Sequence, residues 1–291
     1  MQQITIHAHA KINLALDVIR RRPDGYHDVR MVMQSLFLHD TLTIRKTEQP
    51  GIILTARNAE LHPDITWDEH NLVYKAAKLW SDTYPHEGGL RILIDKQIPS
   101  AAGLAGGSSD AAATLKGLNR LFDKNVSVEE LKQLGIRLGA DVPYCIQLGT
   151  PLSEGTGEIL TPLPAAPGLY CVLAKPDYDV STKYIYEHLD LSTATHPDTD
   201  AMIRAIENSN IPAICHSLGN ILEPVACGVC PEILSLEETM KKLGALGVRM
   251  SGSGPTVFGL YTDANKALEA AGYLKEHGYP HTAFVTRFYQ P

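Results

Sequence analysis

The sequence predicts an α+β protein of two domains, and three observations carry that prediction. The chain has 291 residues, enough for two domains of ordinary size. Stretches with a two-residue apolar period and stretches with a helical period follow one another without strict alternation, which disfavours a doubly wound sheet. Glycine and proline cluster between Gly149 and Gly168, marking a boundary. The expected division is 1–160 for the first domain and 161–280 for the second, with a return of the last strand, about 281–291, to the first domain left open.

Each element follows from local pattern. Ile4 to Val18 reads as two strands, with Ile4 and Ile6, then Ile12, Leu14 and Leu16, in alternation. Arg22-Pro-Asp-Gly-Tyr-His27 is turn chemistry. Leu36 to Arg45 reads as a strand, and Asn71 to Ser81 as a helix with Leu72, Ala76 and Trp80 on one face. Leu90, Ile92 and Ile94 alternate in a strand that ends at Pro99. A helix is predicted to start at Ser108 or Ser109, aligning Ala111, Leu115, Leu118 and Phe122. Ser127-Val-Glu-Glu130 has capping-box spacing and opens a helix with Leu131, Leu134 and Leu138, ended by Gly139. Residues 190–200 are polar and read as a loop. Glu232 to Leu243 is helical with Gly244 past its end, Val248 to Met250 and Thr256 to Tyr261 are strands, and Asp263 caps a helix to His277 with Gly278 at its end. His281 to Phe288 is the last strand.

Bulk properties narrow the function classes. Hydrophobic residues make up 44% and charged residues 20%, ordinary for a soluble protein with a core of useful size. The net charge of −7 argues against nucleic acid as a partner. The one dense basic run, Arg20-Arg-Arg22, is flanked by Asp17 and Asp24 and reads as a solvated loop. Five cysteines, an odd number in a long chain, argue against a disulfide framework. Cys227 and Cys230 have CxxC spacing but no second Cys/His pair, so they read as incidental rather than as a zinc site. The N-terminus lacks signal-peptide character and no apolar run approaches membrane length, so no membrane is expected, and the incidental cysteines point to a reducing, hence cytoplasmic, compartment as the expected location.

Four segments carry chemistry. In Pro99-Ser100-Ala101-Ala102-Gly103-Leu104-Ala105-Gly106-Gly107-Ser108-Ser109 a strand precedes a glycine-rich loop and a helix follows. Glycines allow close backbone approach, and free N–H groups at a helix start attract an anion, so the segment suits a phosphate. It is not a Walker A loop, because no Gly-Lys-Ser/Thr follows. Lys11 and Asn13 fall on one face of an alternating strand. Asp141 lies at a junction between a helix end and an apolar stretch, where an Asp is either a cap or a proton acceptor. Ser251-Gly-Ser253-Gly254-Pro255 is a second glycine-rich turn between strands.

Together and in this order, these segments resemble the GHMP kinases, the superfamily of galactokinase and of homoserine, mevalonate and phosphomevalonate kinases. Pro99–Ala113 resembles that family's ATP-loop motif, and Gly252-Ser-Gly-Pro255 its C-terminal glycine motif. Arg22-Pro-Asp-Gly-Tyr26-His27 resembles one branch most closely, the branch acting on a cytidine-diphosphate-linked methylerythritol. The resemblance runs from residue 10 to about 260.

The resemblance implies ATP and Mg²⁺ as cofactors and a small-molecule substrate bearing a hydroxyl. It implies a ribosomal S5 domain 2-like N-terminal domain and a ferredoxin-like C-terminal domain. Asp141 is implied as general base and Lys11 as the cation that eases deprotonation of the hydroxyl. Pro99 to Ser109 are implied to hold the phosphates, with Ser108 or Ser109 as a Mg²⁺ or phosphate contact. Asn13, Tyr26, His27, Thr182 and Tyr186 are implied to bind substrate, the last with Tyr26 and His27 at the cytosine. Ser253 and Gly254 are expected to shape the phosphate end. Ala105 stands where a third glycine is common and is expected to fit there unstrained. A homoserine or mevalonate-derivative kinase is the alternative reading, and protein partners are unspecified.

Overall fold

The computed structural model describes residues 2–279 and 282–291. His281, the expected first residue of the last strand, lies outside them, as do Met1 and Pro280. The chain forms two compact units, Met1–Ala10, Leu38–Ser100 and Ala105–Leu148 making the first, and Lys11–Phe37, Ala101–Leu104 and Gly149–Pro291 the second. The long strands β1 (Gln3–Arg21) and β2 (His27–Thr47) contribute residues to both.

β1 is one strand, not the two expected. From Ala8 to Val18 both of its faces are covered, so polar residues in this stretch do not mark a solvent-facing break. The turn between β1 and β2 is as expected: the Arg22 amide donates to the Tyr26 carbonyl at 2.8 Å and Gly25 takes a φ of +87°.

In the first unit, β3 (Gly51–Ala56) pairs in parallel with β4 (Gly89–Asp95), and β4 pairs antiparallel with Thr41–Thr47 of β2. Helix α1 (Leu72–Thr83) packs on α2 (Gly106–Phe122). Asn71 caps α1, and Val73, Ala76, Ala77 and Trp80 are buried at its helical spacing. Helix α2 begins two to three residues before the expected start at Ser108 or Ser109. Helix α3 (Val128–Gly135) carries both halves of the Ser127–Glu130 capping box. It ends four residues before the Gly139 stop, at Gly135. There α4 (Val142–Gln147) packs so closely that a Cβ on Gly135 would lie 2.9 Å from Val142 and Ile146 side-chain atoms.

In the second unit, Val29–Val32 of β2 pairs with β5 (Pro151–Gly155), and β5 with β6 (Ile159–Pro162). A four-stranded antiparallel sheet contains β7 (Tyr170–Ala174) at its centre. Helices α5 (Thr182–Glu187), α6 (Thr199–Glu207) and α7 (Ile211–His216) follow. The two-residue β8 (Gly219–Asn220) pairs in parallel with Ala15 and Leu16 of β1. After α8 (Glu223–Val229) and α9 (Glu232–Lys242) come β9 (Gly247–Met250), β10 (Val257–Tyr261), α10 (Ala264–Glu276) and β11 (Ala283–Arg287). The second sheet runs β11-β7-β10-β9, with α9 and α10 packed on it. The last strand thus lies in this sheet, and Phe288, just after it, bridges to Leu36 on β2. Asp263 caps α10 and Gly244 turns the chain after α9 with a φ of +87°, as expected.

Candidate active site

The geometry of Lys11 begins with its strand. In the second unit β1 is covered on both faces, so Lys11 is 4% exposed and Asn13 is fully buried. Their shared orientation brings the Lys11 Nζ to 2.8 Å from the Asn13 Oδ1, to which it donates. Among the described residues no carboxylate forms an ion pair with Lys11. A buried ammonium with one neutral acceptor is costly for the fold and is poised for an anion.

Two glycine segments of the same unit enclose it. The Lys11 amide donates to the Leu104 carbonyl at 3.1 Å. The Ser251 Oγ donates to the Gly103 carbonyl at 3.0 Å. A Cβ on Gly103 would lie 2.1 Å from the Ser251 carbonyl, so only glycine fits. A Cβ on Gly252 would lie 3.2 Å from the Lys11 Nζ. The Ser253 hydroxyl is 2.7 Å from that of Thr182, at the start of α5.

Of the residues expected to read the base, His27 and Tyr186 lie side by side in the second unit. The His27 and Tyr186 rings lie 5.0 Å apart at 39°. Tyr26 is 64% exposed. Burial first, and the Arg21 charge second, hold the His27 imidazole below its usual pKa. Its ring is then neutral near pH 7, with one donor and one acceptor to offer.

In the first unit, α2 opens at Gly106 with Ala105 as its N-cap residue, and no side chain caps it. Its leading N–H groups are therefore available to an anion, with Gly107 exposed and a Cβ there meeting only Leu72, at 3.5 Å. Ala105 corrects an expectation: its φ is +57°, in the left-handed region where a Cβ costs about 1 kcal/mol, so it does not sit there unstrained. Ala101, at +46°, is similar. Pro99, Ser100 and Ser108 are half-buried, and Ala102 and Leu104 buried. The Ser109 hydroxyl is buried and donates to the His9 carbonyl. Asp141 precedes α4 without capping it, and it is half-buried.

Sequence reasoning missed a buried triad beneath α2. The Lys96 Nζ lies 2.5 Å from Asp40 and 2.8 Å from Asp110. Asp40 also accepts from the Gln97 and Ile98 amides, at 2.6 and 2.8 Å, fixing the chain that leads to Pro99. Burial alone would lower the Lys96 pKa, but Asp110 and Asp40 hold it above its usual value. Burial, opposed by Lys96 and aided by Asp40, raises that of Asp110. The Asp110 Oδ1 accepts no hydrogen bond, so ionisation would leave a buried negative charge unsatisfied there. A charge at the end of the apolar run Leu90–Ile94 was the available signal for Lys96.

Among the described residues the five cysteines form no disulfide, and no group of three His, Cys, Asp or Glu is placed to hold a metal. No helix of the described residues is long and apolar enough to cross a membrane.

Comparison with known proteins follows the same lines. Residues 71–149 match the family model described as the GHMP kinases N terminal domain, and residues 202–280 that described as GHMP kinases C terminal. A protein of Lachnoclostridium phytofermentans named 4-diphosphocytidyl-2-C-methyl-D-erythritol kinase is 50% identical, covering 100% of this chain and 99% of its own. A protein of the same name from Geobacillus kaustophilus is 48% identical, covering 89% of this chain and 88% of its own. A crystal structure of 4-(cytidine 5'-diphospho)-2C-methyl-D-erythritol kinase superposes with a TM-score of 0.83 at 32% identity, covering 99% of this chain and 100% of that one. A homoserine kinase from Cytophaga hutchinsonii, 20% identical with a TM-score of 0.79 over 99% of this chain and 95% of its own, shares the fold.

Proposed function

The chain belongs to the GHMP kinase family, and on that premise we propose that it transfers the γ-phosphoryl group of ATP to the 2-hydroxyl of 4-diphosphocytidyl-2-C-methyl-D-erythritol. The products are ADP and the 2-phosphate, a step of isoprenoid synthesis by the non-mevalonate route. The observation that carries the reading is the Lys11 ammonium, buried without a carboxylate between two glycine segments. Similarity at half identity along the whole chain supports the choice of acceptor.

The hydroxyl oxygen attacks the γ-phosphorus, its proton passes to the Asp141 carboxylate, and the bond to the β-phosphate oxygen breaks to release ADP. The Lys11 ammonium offsets the negative charge that builds on the attacking oxygen and the phosphoryl group. Asn13 orients the acceptor. Its carbonyl is engaged by Lys11, so the two side chains act as one unit. The backbone of 99–109 holds the phosphates, with the uncapped start of α2 directing N–H groups at them. Tyr26, His27 and Tyr186 hold the cytosine, and Thr182 bonds the substrate beside them. Mg²⁺, when bound, neutralises phosphate oxygens. Ser108, half-buried in the first turn of α2, is the residue that would contact it. We place the functional division near residue 160, where glycine and proline cluster, and the protein in the cytoplasm, where free thiols persist.

The test is ADP release from Mg-ATP with four acceptors: the cytidine compound, homoserine, mevalonate and phosphomevalonate. Release with the cytidine compound alone is expected. Turnover of another acceptor in its place would keep the kinase and remove Tyr26, His27 and Tyr186 from base recognition.

A further inference from the structure

Asn220 and Glu223 lie outside every segment that the sequence singled out, yet both are buried and both close on the second glycine turn. The Asn220 amide group donates to the Met250 carbonyl at 2.9 Å and to the Gly252 carbonyl at 2.8 Å. Its Oδ1 accepts from the Leu222 amide at 3.0 Å. Both donors are spent and the side chain cannot rotate without loss. Glu223 accepts from the Met250 amide at 2.8 Å through one oxygen and from the Arg249 guanidinium at 2.7 Å through the other. The turn itself holds only a few bonds of its own, from the Ser251 amide to the Thr256 carbonyl and from the Gly254 amide to the Ser251 carbonyl.

The register of these two residues is set by the strand that carries Lys11. Asn220 pairs with Leu16 on β1, and the Ile221 amide donates to the Leu16 carbonyl. Lys11 and Asn13 lie a few residues earlier on β1. One strand therefore fixes both the ammonium and the amide that anchors the wall beside it. The Asn220 amide holds the Gly252 carbonyl, and Gly252 stands beside the Lys11 ammonium, so close that an added Cβ would meet the Nζ at 3.2 Å. A turn with a φ of +60° at Gly252 and +87° at Gly254 has many accessible conformations, and side-chain anchors select one.

We propose that Asn220 and Glu223 are positioning residues for phosphoryl transfer, holding the 251–254 turn so that the Lys11 ammonium keeps one location. The inference rests on the role given above to Lys11. It predicts that Asn220→Leu, which removes both donors while keeping the branched shape of the side chain, lowers kcat about 10-fold while both KM values stay within about 2-fold.

The decisive experiment is a double-mutant cycle on ADP release, with Asn220→Leu, Lys11→Ala and the double variant. If Asn220 acts through Lys11, the double variant is no slower than Lys11→Ala alone. A slow Lys11→Ala with fully multiplicative effects in the double variant overturns the clamp and leaves the kinase reading intact. A Lys11→Ala variant at wild-type turnover overturns the role of Lys11, and the clamp with it. A rise in both KM values for Asn220→Leu at unchanged kcat also overturns the proposal, since it marks general loosening. Should Asn220→Leu fail to fold, Glu223→Gln enters the same cycle, because it weakens the other anchor and keeps an acceptor for the Met250 amide.

Discussion

Lys11 and Lys96 are each 4% exposed, yet one ammonium meets a single neutral amide and the other meets the carboxyl groups of two aspartates. The difference separates two uses of a buried cation. Lys96 is compensated within its own unit, and its partner Asp40 spends its other oxygen on the Gln97 and Ile98 amides. Its charge serves the fold that presents the 99–109 loop. Lys11 is left uncompensated by the described residues, so its desolvation cost is carried by the protein until an anion arrives. A charge of that kind is kept for chemistry rather than for stability.

The largest expected effect is on turnover at Lys11. Lys11→Met keeps the volume and removes the charge, and kcat falls by about 10²–10³-fold, the range for losing one group aimed at developing charge. Steady-state ADP release measures it. The same substitution at Lys96 acts on stability instead. Lys96→Met leaves Asp40 buried without its cation and costs about 3–5 kcal/mol, read from urea midpoints. If Lys96→Met proves as stable as the parent, the triad is not structural and the contrast fails.

The contrast has a legible part and an illegible one. Lys11 and Asn13 stood out because alternation put two polar side chains on one strand face, but burial of both faces of β1 was not readable from polarity. The glycines of 99–109 stood out by their number. The Lys96 triad was silent, because Asp40 lies 56 residues from its partner and no local pattern joins them. The left-handed Ala105 was misread as harmless, since backbone dihedrals at a non-glycine residue leave no mark in composition. Helices α5 and α7, of six residues each, are too short to show a period, and the two residues of β8 are shorter still. Asn220 in β8 and Glu223 at the start of the seven-residue α8 stayed hidden for the same reason, although they bond to a turn that was itself conspicuous.

A smaller effect sharpens the account of the triad. The Asp110 carboxyl is pushed up to about 8 from an ordinary 3.8, chiefly by burial. A raised folded-state pKa gives stability that is complete below the unfolded value and is lost as pH rises toward 8. Asp110→Asn lacks this dependence. Urea midpoints at pH 5 and pH 8 are expected to show the parent losing stability relative to the variant as pH rises, and parallel midpoints would place Asp110 among ionised carboxylates. The smallest effect is at Ala105, next to Gly106, whose Cβ would stand 3.4 Å from the Lys96 Nζ. Ala105→Gly relieves the left-handed conformation and is expected to add about 0.5–1 kcal/mol, a rise in midpoint with no loss of ATP affinity.

The measurement that bears most directly on the central claim is the thermal midpoint of Lys11→Met without ligand, set beside the parent. An ammonium buried for the sake of an incoming anion is a burden to the empty protein, so the variant is expected to melt higher than the parent, by about 1 kcal/mol of added stability. A lower midpoint would contradict the account, because it would make Lys11, like Lys96, a cation that the fold itself requires.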